Sequence, residues 1–219
     1  AEAAARAGRL AARGVRSVLE IGFASGYFLD AQHERGIVAE GVEPGPAGAE
    51  AQAKGHPVHR CRLEELNLDG RRFDAVALWE VVEHVIDPVA LLATVTHALA
   101  PDGVVALSTP SMSGLPARLL GRRFPMITPP EHVTLFSRKG LRRILERSGL
   151  RAATWESFSN LGRTQIASGL RRFVFGSSGA GDVAARLAAR VAVGPARLMD
   201  RLGLGPEFEV LAVRRGRPR

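Results

Sequence analysis

The chain has 219 residues, of which 46% are hydrophobic and 24% charged, so its composition is that of a globular protein rather than a disordered one. It has no apolar run long enough to span a bilayer and no signal-peptide pattern. Its single cysteine, Cys61, excludes an internal disulfide framework and a cysteine-based zinc site. Together these features predict a cytoplasmic location. The net charge of +8 lies almost entirely in residues 160–219, where 11 arginines outnumber 4 acidic residues, whereas residues 1–159 hold 19 basic and 18 acidic residues.

Short apolar runs alternate with amphipathic stretches through the first 150 residues. This alternation is typical of the β-α units of an open, mostly parallel sheet, so the predicted fold class is α/β. In chain order the predicted elements are a helix over Ala3–Arg13, a strand over Ser17–Ile21, a helix over Tyr27–Arg35, a strand over Ile37–Val42, a helix over Ala47–Lys54, a short strand at Pro57–His59, a strand over Phe73–Leu78, a helix over Pro88–Leu99 capped by Asp87, a strand over Val104–Leu107, a helix over Ser137–Arg147, a strand over Ala152–Phe158 and a last strand over Phe208–Val213.

Two regions interrupt this alternation. Ser108–Pro130 is rich in proline, glycine and serine and is predicted to be a loop. Residues 159–206 have no strand character and carry much of the positive charge. We therefore predict one domain over residues 1–219, in which residues 159–206 form a basic helical insertion between the sixth and seventh strands.

The most informative segment joins the first strand to the helix that follows it. A dinucleotide-binding loop would place a third glycine at the position of Tyr27. The spacing instead fits an acid followed by three small residues at every second position, and small residues let the backbone approach a ligand closely. The candidate cofactor-binding residues of this loop are Glu20, Gly22, Phe23, Ala24, Ser25 and Gly26.

Two further blocks follow in order. Glu43 ends the second strand and is followed by Pro44, and an acid at this place can accept hydrogen bonds from both hydroxyls of a ribose. The third block runs from Phe73 to Pro88 and is followed by a proline-aspartate-glycine turn. Together, the three blocks resemble the class I S-adenosylmethionine-dependent methyltransferases. They are most similar to the subgroup of the ubiquinone-biosynthesis O-methyltransferases and related small-molecule and sugar methyltransferases. The segment Pro130–Ser137 also resembles that subgroup.

The resemblance implies a Rossmann-like sheet with an antiparallel seventh strand and S-adenosylmethionine as the cofactor. It implies that Glu20 orients the amino acid end of the cofactor, that the small residues of the loop lie against its methionine part, and that Glu43 holds the ribose. It also implies that Leu63 lies near adenine and that Trp79 lies beside the cofactor, although Trp79 is equally suited to core packing. The sequence departs from the family pattern at Ala24, which carries a methyl group, and at Arg62, near which the family often has an acid.

A cluster of acidic and histidine residues follows the fourth strand. If this segment is helical, Glu80, Glu83 and His84 share one face. Two carboxylates and an imidazole could bind a divalent cation such as Mg²⁺, and the resemblance includes relatives that depend on a metal. The Glu83-His84 pair also resembles many members of the class that need no metal, so no metal is expected. His84 and His132 are instead the candidate catalytic bases that would take a proton from an acceptor hydroxyl; each could also be a histidine bonded within its own loop.

The basic insertion has several interpretations. Apolar residues and arginines recur at helical intervals over Asp182–Leu204, interrupted by Gly194-Pro195. Such a helix can pack on its own domain, contact an anionic membrane through residues 160–204, cover the substrate site or form a homodimer. Nucleic acid is not expected as a partner, because the arginines are not interleaved with base-stacking aromatic residues.

The sequence therefore predicts an S-adenosylmethionine-dependent methyltransferase that acts on a hydroxyl oxygen of a small or lipid-linked acceptor. One alternative is a non-catalytic cofactor-binding module that acts through protein or membrane partners. A second alternative is a nicotinamide-dependent oxidoreductase, and titration with the two cofactors separates these classes.

Overall fold

The computed structural model describes residues 2–159 and 179–216. Within these ranges seven strands form one sheet in the order β3-β2-β1-β4-β5-β7-β6. The strands are β1 (Ser17–Ile21), β2 (Val38–Val42), β3 (Val58–His59), β4 (Phe73–Trp79), β5 (Leu99–Pro110), β6 (Leu150–Phe158) and β7 (Glu207–Arg214). The α-helices are α1 (Glu2–Ala11), α2 (Tyr27–His33), α3 (Ala47–Ala53), α4 (Pro88–Ala98), α5 (Leu115–Leu120), α6 (Arg138–Arg147) and α7 (Gly179–Arg201).

The sheet confirms the predicted α/β class. Neighbouring strands β1 to β5 pair in parallel, whereas β7 is antiparallel to both β5 and β6. Each predicted strand is present, with ends that differ by a few residues at most positions. The largest difference is at β5, which begins at Leu99 and extends to Pro110.

Helices cover both faces of the sheet. The core on one face includes Leu92 of α4 and Leu141 of α6, and the core on the other includes Leu10 of α1 and Phe28 of α2. Strands that are covered on both sides are apolar at nearly every position, as β4 is. This burial accounts for the continuous apolar runs in the sequence.

The parallel strands end at the same edge of the sheet. β1, β2, β4 and β5 have their carboxyl ends there, and the antiparallel β7 begins there because Glu207 pairs with Pro110. Ligands of open α/β sheets bind at this edge, where adjacent loops diverge. The segments after Ile21, Val42 and Trp79 therefore lie side by side.

Three local predictions are corrected. The segment after β4 is not a helix: Glu80 has a φ of +55°, Val82–His84 is a turn, and α4 begins only at Pro88, where Asp87 accepts hydrogen bonds from two backbone amides. The region 108–130, predicted as a loop, contains α5. In the insertion, α7 continues through Pro195 without the predicted interruption.

The rest of the predicted insertion is described only in part. Residues 160–178 lie outside the described residues, so the assignment of 159–206 as an insertion within one domain over 1–219 stays a prediction. None of the helices described here combines the length and the low charge that crossing a bilayer would require.

Candidate active site

The loop between β1 and α2 is shaped by two glycines with positive φ. Gly22 has a φ of +69°, and a Cβ atom there would lie 2.8 Å from the Val81 side chain. Gly26, with a φ of +74°, immediately precedes α2. A side chain at either position would strain the backbone, and at Gly22 it would also collide with the turn after β4. The small residues predicted for close backbone approach are therefore required by the local conformation.

Ala24 occupies the third small-residue position of this loop. Its φ is +45°, in the left-handed region that favours glycine, and its side chain is exposed. The extra methyl group of Ala24 is one of the two departures from the family pattern, together with Arg62. The structure adds that the methyl group stands on strained backbone.

We expect Ala24→Gly to stabilise the protein by about 0.5–1 kcal/mol, because relief of left-handed strain exceeds the entropy cost of glycine. Ala24→Val should destabilise the protein by at least about 1 kcal/mol, because a β-branched residue tolerates positive φ poorly. Urea denaturation of the two variants and the parent protein measures both effects. A less stable Ala24→Gly variant would show that the backbone at this position is not strained.

Glu20 lies in β1, directly before the loop, and is 3% exposed. Its Oε2 atom is buried without a hydrogen-bond partner among the described residues. Burial raises the pKa of Glu20 well above its usual value, and the nearby Arg6 guanidinium only partly opposes this shift. An unpartnered buried carboxyl oxygen is costly, so Glu20 is suited to receive a cationic or hydrogen-bond-donating group of a ligand.

Glu43 follows β2 and is half-buried. Its backbone amide donates to His59, and its Oε1 accepts a hydrogen bond of 2.8 Å from the Gly45 amide. This bond holds the carboxylate at the carboxyl end of β2, beside the loop, because the Gly22 amide donates to the Val42 carbonyl. Pro44 is exposed on the same turn. The structure therefore brings together the loop and the acid predicted to hold the ribose.

Two predicted cofactor contacts have buried side chains, and a third is partly exposed. The Phe23 ring is 4% exposed and packs against Gly41, so its side chain is not available to a ligand. Leu63 is 6% exposed and packs in the core on the α4 side of the sheet. Ser25 is partly exposed and its carbonyl accepts a hydrogen bond from Lys54. Contacts of these residues with a cofactor stay predictions.

Trp79 is packed between two helices. The Phe28 ring meets it edge-on at 5.2 Å, and the Arg6 guanidinium lies 4.1 Å from its ring centroid. Its indole nitrogen is buried without a partner among the described residues. These contacts are those expected if Trp79 packs in the core. Its contact with the cofactor stays a prediction, which the unpartnered indole N–H supports.

An ion-pair network around Arg6 was missed from the sequence. Arg6 of α1 donates to Glu209 at 3.0 Å and pairs with Glu2 at 2.7 Å, and Arg9 pairs with the second oxygen of Glu209. Glu207 and Glu209 are both nearly buried in β7. The sequence did contain an indication of this network. Glu207 and Glu209 alternate with apolar residues in a predicted strand, and this spacing places both acids on the same face of the sheet, which helices cover.

Glu207 gives this network a pH dependence. Burial, with the nearby Glu80 charge as the second cause, raises the pKa of Glu207 from 4.5 to about 8. At pH values between about 4.5 and 8, Glu207 is ionised in the unfolded chain but still protonated in the folded chain. The free energy of unfolding that depends on this group therefore falls as pH rises, and the decrease levels off above about pH 8.

We expect Glu207→Gln to remove this contribution. The variant should match the parent near pH 4 and exceed its stability by at least about 1 kcal/mol near pH 8.5, which is roughly 2–4 °C in melting temperature. Thermal unfolding across this pH range measures the difference. A difference that does not grow with pH would contradict the assigned protonation of Glu207.

The two candidate catalytic histidines lie next to each other although 48 residues of sequence separate them. The ring centroids of His84 and His132 are 4.8 Å apart. The Nδ1 of His84 donates to the Glu131 carbonyl at 2.9 Å, and the Nδ1 of His132 donates to the Met126 carbonyl at 2.6 Å. Because a carbonyl only accepts, each neutral ring carries its proton on Nδ1 and has a free lone pair on Nε2. Nε2 is therefore the atom of each histidine that could take up a proton.

Glu83 lies beside this pair and is fully buried. Its Oε2 accepts a hydrogen bond of 3.0 Å from Thr109. Burial and the adjacent Glu80 carboxylate raise the pKa of Glu83 to about 8, so it holds a proton at neutral pH. The proton can bridge Glu83 and Glu80, whose Oε1 atoms are both buried without another partner among the described residues.

The candidate metal ligands are arranged differently from the prediction. Because the segment after β4 is a turn, Glu80, Glu83 and His84 do not share a helix face. Among the residues that the structure describes, the potential ligand atoms of Glu83, His84 and His132 lie within 4.8 Å of one another. Cation binding by these side chains stays a prediction, and a protonated Glu83 is poorly suited to it.

The residues at this edge fit S-adenosylmethionine, the cofactor that the sequence resemblance implies. Glu20 has an unpartnered buried oxygen for the cationic amino acid end, Gly22 and Gly26 keep the loop backbone free of side chains at positive φ, and Glu43 presents a carboxylate at the end of the adjacent strand. These features occur on adjacent strand ends, in the order in which the cofactor's parts follow one another.

Solved structures share this fold at low sequence identity. A SAM-dependent methyltransferase from Archaeoglobus fulgidus matches with a TM-score of 0.62 and 21% identity, over 96% of this chain and 93% of its own. A candidate sarcosine dimethylglycine methyltransferase from Galdieria sulphuraria matches with a TM-score of 0.65 and 16% identity, over 96% and 84%. The cyclase SpnF matches with a TM-score of 0.62 and 16% identity, over 96% and 80%. Identities this low establish the fold alone.

A comparison with curated protein sequences found no match. The methyltransferase domain family, in contrast, matches residues 1–154. The family match and the fold confirm S-adenosylmethionine as the cofactor, whereas the resemblance to the ubiquinone-biosynthesis subgroup stays a prediction. Because the match spans more than half of the sequence, the chain belongs to the methyltransferase domain family.

Proposed function

We propose that this protein transfers a methyl group from S-adenosylmethionine to a hydroxyl oxygen of a small or lipid-linked molecule. The observation that carries the choice of oxygen is the pair of histidines at the carboxyl edge of the sheet. Each has its Nδ1 bonded to a backbone carbonyl, so that Nε2 is the basic atom.

The cofactor supplies a methyl group that is already activated by its positive sulfur, so the protein has to orient the acceptor, exclude water and remove a proton. Glu20 would bind the amino acid end, with Gly22, Ala24 and Gly26 along the methionine part. Glu43 would bind the ribose hydroxyls through Oε2, because its Oε1 is bonded to Gly45.

An alcohol or phenol must lose a proton as its oxygen forms the new bond to carbon. In the proposed reaction, His132 or His84 would take this proton on Nε2 as the acceptor oxygen receives the methyl group that the bound cofactor would supply. The buried Glu83 stays neutral beside them. A charged carboxylate at this place would favour the protonated form of the histidines, and that form cannot take a proton from the acceptor.

The test begins with calorimetric titration of S-adenosylmethionine and of NAD, followed by turnover with methyl-labelled cofactor and a panel of phenols, sugars and hydroxylated lipids. We expect binding of S-adenosylmethionine alone and transfer of label to oxygen, located by mass spectrometry. Binding of NAD alone would support the oxidoreductase. Cofactor binding without transfer across the panel would favour the non-catalytic module.

Once an acceptor is identified, His132→Gln should lower kcat about 100-fold, while the affinity for S-adenosylhomocysteine changes less than about twofold. The ascending limb of the pH profile should also shift, which a purely structural role would not cause. His97→Gln is the matched control, because His97 also donates from Nδ1 to a backbone carbonyl but is exposed on α4. An unchanged kcat in the His132 variant and in an H84Q/H132Q double variant would exclude both bases.

A further inference from the structure

Two adjacent elements expose leucines that no described part of the protein covers. Val183, Leu187 and Leu198 on α7 and Leu202, which follows its last residue, are all more than half exposed. Helical spacing places these four residues within a stripe of about 100° along the helix. The opposite side of α7 faces the protein, since Ala196 is buried and α7 contacts β6.

The second element is α5. Its buried side is formed by Ala117, with Phe124 buried just beyond the helix, whereas Leu119 is 75% exposed and Leu120 is 46% exposed. The outward leucines therefore contribute little to the core. An exposed pair of leucines at the end of a short helix is an apolar surface that is available for contact with something else.

α5 and the end of α7 are joined by the backbone. The Leu115 amide donates to the Leu204 carbonyl at 2.8 Å, and the Ser111 amide donates to the Pro206 carbonyl at 2.7 Å. Gly114 and Gly205 are in such close contact that no Cβ atom fits between them. These contacts fix α5 beside the residues that follow α7, at the edge of the sheet where β5 ends and β7 begins.

Arginines accompany the leucines on both elements. Arg186, Arg197 and Arg201 are exposed on α7, and helical spacing places them along one border of the apolar stripe. Arg118, Arg122 and Arg123 are exposed on and directly after α5. Ser111–Pro130 contains no acidic residue, and Asp182 is the only acid in the sequence between positions 160 and 199.

We infer that the exposed leucines and arginines of α5 and α7 form a docking surface for an anionic lipid bilayer. Leucines that enter the boundary of the acyl chains and arginines that pair with lipid phosphates are the two contributions that bind a peripheral helix to such a membrane. The inference deepens the proposed function, since it places a lipid-linked acceptor next to the active site. The binding it predicts requires neither cofactor nor acceptor.

Charge favours a bilayer over the other occupants. A second copy of the chain bound through the same surface would bring arginines against arginines in a symmetric interface. Nucleic acid would pair with the arginines but would leave the leucines unmatched, because bases are bound by stacking on aromatic rings. Anionic lipid satisfies both residue types.

The test is sedimentation of the whole chain with vesicles of phosphatidylcholine alone, and with vesicles that contain about 30% phosphatidylglycerol, at about 0.1 M and 0.5 M salt. We expect binding to the anionic vesicles that weakens at the higher salt, and little binding to neutral vesicles. The variants L119S/L120S and L198S/L202S should each lower the affinity about tenfold or more, and R197Q/R201Q should do the same.

Matched controls are Val38→Ser, which removes an exposed valine from β2, and R142Q/R143Q, which removes two exposed arginines from α6. Both should bind vesicles as the parent does. Equal melting temperatures identify variants that fold normally, and S-adenosylhomocysteine titration reports the active site separately, so failure of docking is distinguishable from failure of the proposed function.

Absence of vesicle binding by the parent chain overturns the inference. So does binding that the leucine and arginine variants leave unchanged. If the leucine variants convert a dimer into monomers without changing vesicle binding, the surface is a homodimer interface. If the arginine variants lose binding to single-stranded RNA while vesicle binding persists unchanged, its partner is nucleic acid.

Discussion

Glu43→Ala is expected to weaken binding of S-adenosylhomocysteine about 100-fold or more. Two hydrogen bonds from ribose hydroxyls to a carboxylate are worth about 1.5–3 kcal/mol each, and their combined loss corresponds to at least this factor. Glu43→Gln, which keeps an acceptor oxygen for the Gly45 amide, should lose about tenfold. Calorimetric titration measures both affinities.

Glu50→Ala is the control for this variant, because Glu50 is an exposed acid in the next helix, α3. It should bind the ligand as the parent does. A variant that binds the ligand weakly but melts at the parent's temperature has lost the ribose contact, whereas a lower melting temperature indicates that the turn after β2 is disturbed. Equal ligand affinity in the parent and the Glu43→Ala variant would remove Glu43 from the site.

Arg6→Ala is expected to have the largest effect on stability, lowering the free energy of unfolding by about 3 kcal/mol, or roughly 6–12 °C in melting temperature. The Arg6 side chain is 10% exposed and pairs with Glu209, whose own side chain is 8% exposed. Removing the guanidinium leaves the buried acids of β7 with less compensation and also uncovers Trp79.

A second substitution separates charge from packing in this effect. Because the cost comes largely from an uncompensated carboxylate, R6A/E209Q should recover about 1 kcal/mol or more relative to Arg6→Ala. Arg13→Ala, at an exposed position after α1, should change stability by less than about 0.5 kcal/mol. If Arg6→Ala is as stable as the parent, the network around Arg6 does not hold α1 to the sheet.

The elements that could be predicted from sequence are those with a local physical cause. The apolar run at Ser17–Ile21 was bounded by glycine, and Asp87-Pro88 combined a capping acid with a proline suited to the first turn. Glu20, Gly22 and Glu43 were predicted as site residues from the ordered blocks that resemble a known family, and the structure places them at adjacent strand ends.

The features that could not be predicted depend on contacts between distant parts of the chain. Arg6 meets Glu209 across more than 200 residues, and no local pattern indicates which arginine will be buried. Helical spacing would place Glu80, Glu83 and His84 on one face only in a helix, but the segment is a turn in which Glu83 is bonded to the distant Thr109. The pairing of His84 with His132 likewise required the fold.

The loop after β1, together with Glu43, is expected to hold the adenosyl cofactor. A crystal structure of the protein with S-adenosylhomocysteine bound would show whether it does. We predict that the ribose hydroxyls lie within hydrogen-bonding distance of Glu43 and that the amino acid end is oriented by Glu20, directly or through water. A ligand bound elsewhere, or a loop whose crevice is filled by the protein's own side chains, would contradict the claim.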